Sequence, residues 1–233
     1  KAWYCGSING NDKTPPRRYP AEDRIYIQQL DLATGKFIGE RHIVSSGYAI
    51  NSPYAEAPHI YKINGKYYLM IAEGGTWEDH AVSIFTADQV TGPYTPFICN
   101  PVLTHRHLGN DIDITTIGHA DWVQTQNGDW YMVYLCGRKI GDGYSMLGRE
   151  TALDPVSWTA DGWPVVNNLD GPSVLQIKPA LPETIWESHM DDDFEEDYLS
   201  TDWMFPRTPE ADGVFLKDSR VYIKGSTYNL NSM

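Results

Sequence analysis

The sequence predicts an all-β chain: serial small antiparallel sheets of the β-propeller type, followed by the opening of a β-sandwich. Three observations predict it. Asn64-Gly65 lies between two aromatic-rich apolar runs. That is the strongest short hairpin signal, since such a two-residue turn needs positive φ at both positions. The same pair returns as Asn127-Gly128, 63 residues further on. Helix signals are weak throughout: Ala87-Asp88-Gln89-Val90 makes no more than one helical turn before a Thr-Gly-Pro turn. A β-sandwich also shows serial short strands, but repeats of about 60 residues favour propeller blades.

The elements follow in order. Lys1-Ala2-Trp3-Tyr4 matches Lys66-Tyr67-Tyr68-Leu69, so the chain is expected to open just after a hairpin turn, with the first strand of its sheet absent. It has no initiator Met and reads as trimmed or as a fragment; the missing blades would come from the parent chain or a companion chain. His59–Ile63 and Lys66–Ile71 form one hairpin, and Trp122–Thr125 and Trp130–Tyr134 form the next. The repeat extends upstream of the turn, laying Glu56-Ala57-Pro58-His59-Ile60 on His119-Ala120-Asp121-Trp122-Val123. Gly74 and Gly137 close equivalent strands. After Trp163-Pro164-Val165-Val166 the pattern fades, and Pro172, Pro179 and Pro182 punctuate a linker or extended strap. The acidic run Asp191–Asp197 opens a new segment with Trp203, Phe205 and the alternating Arg220–Lys224. The expected division is propeller over 1–167, linker over 168–187 and the start of a sandwich over 188–233.

Composition narrows the function. Asp and Glu number 31 against 18 Lys and Arg, a formal charge of −13. Phosphate backbones are bound by clustered cations, so no nucleic-acid partner is expected. An anionic membrane would repel the chain as well, and no apolar run approaches a membrane span. Eight Trp and 15 Tyr stand out. Flat apolar faces with polar tips suit sugar rings, although strands favour the same residues. Cys5, Cys99 and Cys136 show no metal or redox spacing and read as buried free thiols.

The repeat places Glu56 and His119 at equivalent strand-start positions, where inner propeller strands converge on one pocket. A carboxyl among apolar and aromatic residues is a candidate for a raised pKa and general-acid work. The plain alternatives are an exposed strand-end Glu and a satisfied core histidine.

Ala55-Glu56-Ala57-Pro58-His59-Ile60-Tyr61-Lys62-Ile63-Asn64-Gly65-Lys66-Tyr67-Tyr68-Leu69 resembles the general-acid segment of glycoside hydrolase family 43. The family usually carries Glu-Gly-Pro-His there, so Ala57 departs from it. Ala72-Glu73-Gly74-Gly75-Thr76, Gly92-Pro93-Tyr94, Asn100–Thr104, Gly118-His119-Ala120-Asp121, Leu147-Gly148-Arg149-Glu150-Thr151 and Asp161–Val166 follow in the family's order. Asp192-Asp193-Phe194 with Trp203 resembles the start of the sandwich appended to its β-xylosidases.

The resemblance implies a five-bladed propeller and an inverting glycosidase, exo-acting on terminal xylose or arabinofuranose of plant cell-wall oligosaccharides. It implies Glu56 as the acid, Arg149 reaching the sugar hydroxyls, and His119 beneath the substrate, where members hold a hydrated calcium or other ion. No cofactor takes part in the chemistry. The base and an acid-tuning Asp would precede Lys1, so this chain alone is expected to be inactive. Trp77 and His80 are expected on the pocket rim, Glu73 in a structural role, and Arg149 has an ion pair with Glu150 as its alternative. His105 with His107, and Asp111 with Asp113, read as loop residues rather than metal ligands. The competing functions are a non-catalytic sugar-binding propeller and an endo-arabinanase. The expected location is extracellular or periplasmic, with the cytoplasm as the alternative.

Overall fold

The computed structural model describes residues 1–8, 16–109, 111–140, 145, 147–185, 191–205, 208–209 and 212–225. The chain divides into two compact units, Lys1–Leu181 and Pro182–Met233.

The described residues of the first unit form three antiparallel sheets, blades of a five-bladed β-propeller. The first sheet runs β1 (Ala2–Ile8), β2 (Arg24–Asp31), β3 (Lys36–Ser45) in that order. The second runs β4 (Glu56–Ile63), β5 (Lys66–Glu73), β6 (Ala81–Ala87), β7 (Thr95–Pro96), with β8 (Leu103–Thr104) also paired to β6. The third runs β9 (Ile114–Gln124), β10 (Trp130–Arg138), β11 (Arg149–Trp158), β12 (Pro164–Val166).

Sequence periodicity explains how the sheets stack. In β5, Tyr68 and Met70 face one way and join Val82, Ile84, Ile117, Trp122, Met132 and Tyr134 in a core shared with the third sheet. Leu69 and Ile71 face the other way and meet Ile25, Ala55 and Phe85 in a core shared with the first. Successive strand residues point to opposite faces, so β5, covered on both sides, reads as a continuous apolar run rather than an alternating one. β4 and β9, the first strands of their sheets, pack against each other. Tyr61 donates to the Asp121 carboxylate and accepts from the Trp122 amide at 2.9 Å, tying the two sheets together.

The two hairpins differ. Asn64 and Gly65 have φ of 49° and 86° between the paired Ile63 and Lys66, the expected two-residue turn. At the second site only Gly128 is left-handed, at 90°. The Thr125 amide donates to Asp129 and the Gly128 amide to Thr125. That is a three-residue loop, Gln126-Asn127-Gly128, ending in a left-handed glycine, so the expectation of a repeated Asn-Gly turn is corrected. The extra loop residue makes β9 lie 62 residues after β4, while β10 lies 63 after β5.

Bulges then sit at the same place in both sheets. Four residues of β4 (Glu56 to His59) span three of β5 (Ala72 to Met70), and Gly118 to Asp121 likewise span Leu135 to Val133. Glu56 is therefore equivalent to Gly118, and His119 to Ala57, one residue away from the alignment read in the sequence.

Beyond β12, a short 3₁₀ turn (Asn167–Leu169) leads into a segment bound to the third sheet. The buried Asp154 carboxylate accepts from Tyr134 (2.6 Å), the Ser173 amide (3.0 Å) and Gln176 (2.9 Å), and Asn127 donates to the Ala180 carbonyl at 2.8 Å. The stretch expected as linker from 168 is thus a strap as far as the end of this unit. Cys99 is exposed, unlike the half-buried Cys5 and buried Cys136. In the second unit the described residues form one hairpin, β13 (Val214–Leu216) with β14 (Val221–Ile223). Phe215 and Tyr222 stack at 5.2 Å across it.

Candidate active site

Glu56 is the first residue of β4, paired with Ala72 near the end of β5. Arg149 is the first residue of β11, paired with Gly137 near the end of β10. Trp77 and His80 lie in the loop between β5 and β6. Strand starts and ends of this kind share one end of a blade, so the topology gathers the expected site residues there.

Electrostatics connects them. Burial pushes the Glu56 carboxyl above its ordinary range, and the Asp23 carboxylate pushes the same way, while His119 and Arg149 pull it back. Desolvation disfavours the charged form of a carboxyl. A carboxyl raised in this way keeps its proton to higher pH than an ordinary one, which is what a general acid needs. His119 and Arg149 are exposed. Glu150 does not pair with Arg149; Arg138 bridges it at 3.2 Å. The ion pair weighed as Arg149's alternative role is absent among the described residues.

Two expectations change on contact with the structure. His80 is wholly buried, so it does not line a rim. Its Nδ1 lies 2.8 Å from the Thr116 carbonyl. Trp77, by contrast, keeps the exposure a rim residue needs: it is 57% exposed and packs beside Tyr54 with ring centroids 5.5 Å apart. His119 does not occupy the position of Glu56 in its blade but the bulge position next to it.

Glu73, the rival carboxyl, is fully buried and saturated. Its Oε2 accepts from the Tyr48 amide (2.7 Å) and Ser52 hydroxyl (2.9 Å), and its Oε1 from the Ser83 hydroxyl (2.9 Å). It staples the 48–52 loop to β5 and β6. His105 is likewise occupied, with Nδ1 2.8 Å from the Ile114 carbonyl. Asp111 and Asp113 are exposed loop residues.

Sequence reasoning missed Asp23. It is 6% exposed, held by Arg17 at 2.8 Å, and its charge reaches Glu56. Its neighbour Glu22 is gripped by Arg24 and Arg18, which hold its carboxyl down at about 2. The charged cluster Arg17-Arg18 and Glu22-Asp23-Arg24, set directly before an apolar strand, was the available signal.

The ion implied for the axis would take one described ligand, the His119 imidazole. Calcium takes six to eight oxygens, and among the described residues no three His, Cys, Asp or Glu side chains converge. The described residues alone do not fit a calcium site, and no step below is routed through one.

Comparison with known proteins agrees with this architecture. Residues 2–164 match the family model described as Glycosyl hydrolases family 43. The chain is 39% identical over 206 residues to a non-reducing end alpha-L-arabinofuranosidase of Bacteroides ovatus, covering 87% of this chain and 38% of that one. It is 37% identical over 198 residues to a beta-xylosidase of Bacillus subtilis, covering 79% and 36%. Among solved structures, the Bacteroides ovatus xyloglucan PUL GH43B protein superposes with a TM-score of 0.74 at 37% identity, over 90% of this chain and 42% of that one. The chain spans between a third and two fifths of the curated relatives it matches here.

Proposed function

The chain belongs to glycosyl hydrolase family 43, and on that footing we propose that it carries the acid half of an inverting glycosidase site. The protein that contains it is an exo-acting enzyme, removing terminal xylose or arabinofuranose from plant cell-wall oligosaccharides outside the cell or in the periplasm. The observation that carries this reading is the half-buried Glu56, its carboxyl pushed upward by desolvation and set among His119 and Arg149.

In this mechanism protonated Glu56 donates to the glycosidic oxygen as the bond to the anomeric carbon breaks. A base on the opposite face takes a proton from water, which attacks that carbon; inversion needs the two carboxyls roughly 6.5–9.5 Å apart to admit the water. Asp23 is a poor base, because Arg17 already holds it. The base is assigned to a segment of the protein outside this chain. Arg149 holds sugar hydroxyls, and its charge keeps the acid from being raised too far to turn over. Trp77 offers an exposed ring face for a sugar. The unit from Pro182 is read as the start of an appended β-sandwich.

Names of the relatives support both pentoses, so the test uses two substrates. The full-length protein is given an aryl β-xyloside and an aryl α-arabinofuranoside, and the first-formed sugar is read by proton NMR. Turnover of either with inversion of the anomeric centre is expected. No hydrolysis, or retention, contradicts the reading.

A further inference from the structure

His80 is a fully buried polar side chain without a part in the proposed chemistry, and its surroundings are unusual. Its Nδ1 faces the Thr116 carbonyl at 2.8 Å. A carbonyl only accepts, so Nδ1 carries the proton and Nε2 is the bare acceptor. Nε2 is buried with no hydrogen-bond partner among the described residues. Burial, His119 and Arg149 all favour the neutral ring, against the Thr116 bond. The ring lies where a Cβ on residue 118 would be, with Cδ2 and Cε1 2.5 Å from that point. Only glycine fits beneath it.

The backbone under the ring is strained on both sides of Gly118. β9 shifts register on β10 twice, between Thr115 and Gly118 and again between Gly118 and Asp121. Thr116 and His119 are the left-handed residues of these two bulges, with φ of 56° and 50°. A β-branched residue such as Thr is a genuine outlier there. Such strain persists only where the surroundings over-determine it. In the preceding sheet the residue equivalent to Thr116 is Tyr54, which lies before β4 begins and is likewise left-handed at φ 55°, whereas in β9 this kink falls inside the paired strand. The second bulge, at Thr116, is the one whose carbonyl His80 holds.

We propose that His80 is a positioning residue: by holding the Thr116 carbonyl and filling the space over Gly118, it fixes the double bulge that presents His119 beside Glu56. The inference rests on the glycosidase reading for its kinetic consequence but not for its structural one. His80 touches no substrate. Its backbone is anchored in turn, its amide donating to the Trp77 carbonyl at 3.2 Å and its carbonyl accepting from Thr104 at 2.8 Å. The ring is therefore a fixed strut between the loop after β5 and the bend in β9.

Two amides of different reach test this in the full-length protein. Asn places a donor near the Nδ1 position, whereas Gln reaches toward Nε2. His80→Asn is expected to keep kcat within about 3-fold of wild type, and His80→Gln to lower kcat roughly 10–100-fold with KM changed far less. The loss from His80→Gln should largely vanish in a His119→Ala background, since His80 acts through His119. Equal losses in Asn and Gln, or losses that multiply with His119→Ala, overturn the proposal. Should His80→Gln not fold, His80→Ala takes its place with the same expectations. Crystal structures of the variants give a readout independent of activity. Thr116 and His119 should stay left-handed in His80→Asn and leave that region in His80→Gln; an unchanged bulge in both overturns the proposal even if the wild type hydrolyses nothing.

Discussion

Ala57 and His119 occupy the same position in successive blades: each is the left-handed residue, φ 48° and 50°, that opens a bulge in the first strand of its sheet. Glu56 precedes one of them and Gly118 the other. The bulge turns the strand sharply at the residue next to the acid, which is how a regular β-strand aims a carboxyl out of its own pleat.

A left-handed non-glycine residue costs roughly 1–2 kcal/mol, less the entropy a glycine adds to the unfolded chain, about 0.4–1 kcal/mol. Ala57→Gly should therefore stabilise the full-length protein by up to about 1.5 kcal/mol, with activity unchanged. Denaturant unfolding of the two proteins measures this. A lower midpoint for the glycine variant would mean the bulge is not strained.

The same residue shows what the sequence could and could not reveal. The resemblance noted Ala57 as a departure from the usual glycine, but only the backbone angle says why glycine is relaxed there. The hairpin at Asn64-Gly65 was legible because the turn demands two left-handed residues. The one at Asn127-Gly128 was misread, since Asn-Gly also serves the end of a three-residue loop. That single extra residue displaced His119 from the equivalence with Glu56. His80 was placed on a rim because it follows the Glu73-Gly74-Gly75 loop; the space for its buried ring depends on Gly118, 38 positions away, and no local pattern encodes that. The stretch after 168 read equally as linker or strap because what decides it, Asp154, lies in β11.

Glu73 separates a structural carboxylate from a catalytic one. Glu73→Ala leaves the Tyr48 amide and the Ser52 and Ser83 hydroxyls without their acceptor, and each buried unsatisfied group costs about 1–3 kcal/mol. Thermal unfolding should shift down strongly. The folded fraction, titrated with an active-site ligand, should retain kcat within about 3-fold. A stable variant with abolished kcat would make Glu73 catalytic instead.

Glu22 sets an acid limit. Its carboxyl falls from an ordinary 4.5 to about 2 in the folded state, chiefly through Arg24. A depressed folded value means this pairing stabilises fully above the ordinary value and is lost as pH falls from about 4.5 toward 2. In Glu22→Gln that portion of the acid destabilisation should be missing, on top of lower stability at neutral pH. Parallel stability–pH curves for the two proteins would show that Glu22 does not titrate as described.

Arg149→Ala tests the assigned sugar contact. Hydroxyl contacts that tighten as the ring distorts act on the transition state more than on the bound substrate. The expected result is a kcat loss of roughly 10²-fold with a KM change of only a few-fold. Both constants near wild type would return Arg149 to the surface.

The central claim is that Glu56 is the proton donor, and leaving-group dependence tests it most directly. Natural sugar leaving groups need a proton, whereas dinitrophenyl groups depart without one. Glu56→Gln preserves shape but carries no acidic proton. It should cost roughly 10²–10⁴-fold on an oligosaccharide and far less on a dinitrophenyl glycoside. Because burial raises the Glu56 carboxyl, the wild-type rate on the oligosaccharide should fall only as pH rises past the ordinary carboxylate range, and that alkaline limb should flatten in the variant. Equal losses on the two substrates, with the limb intact, would contradict the assignment.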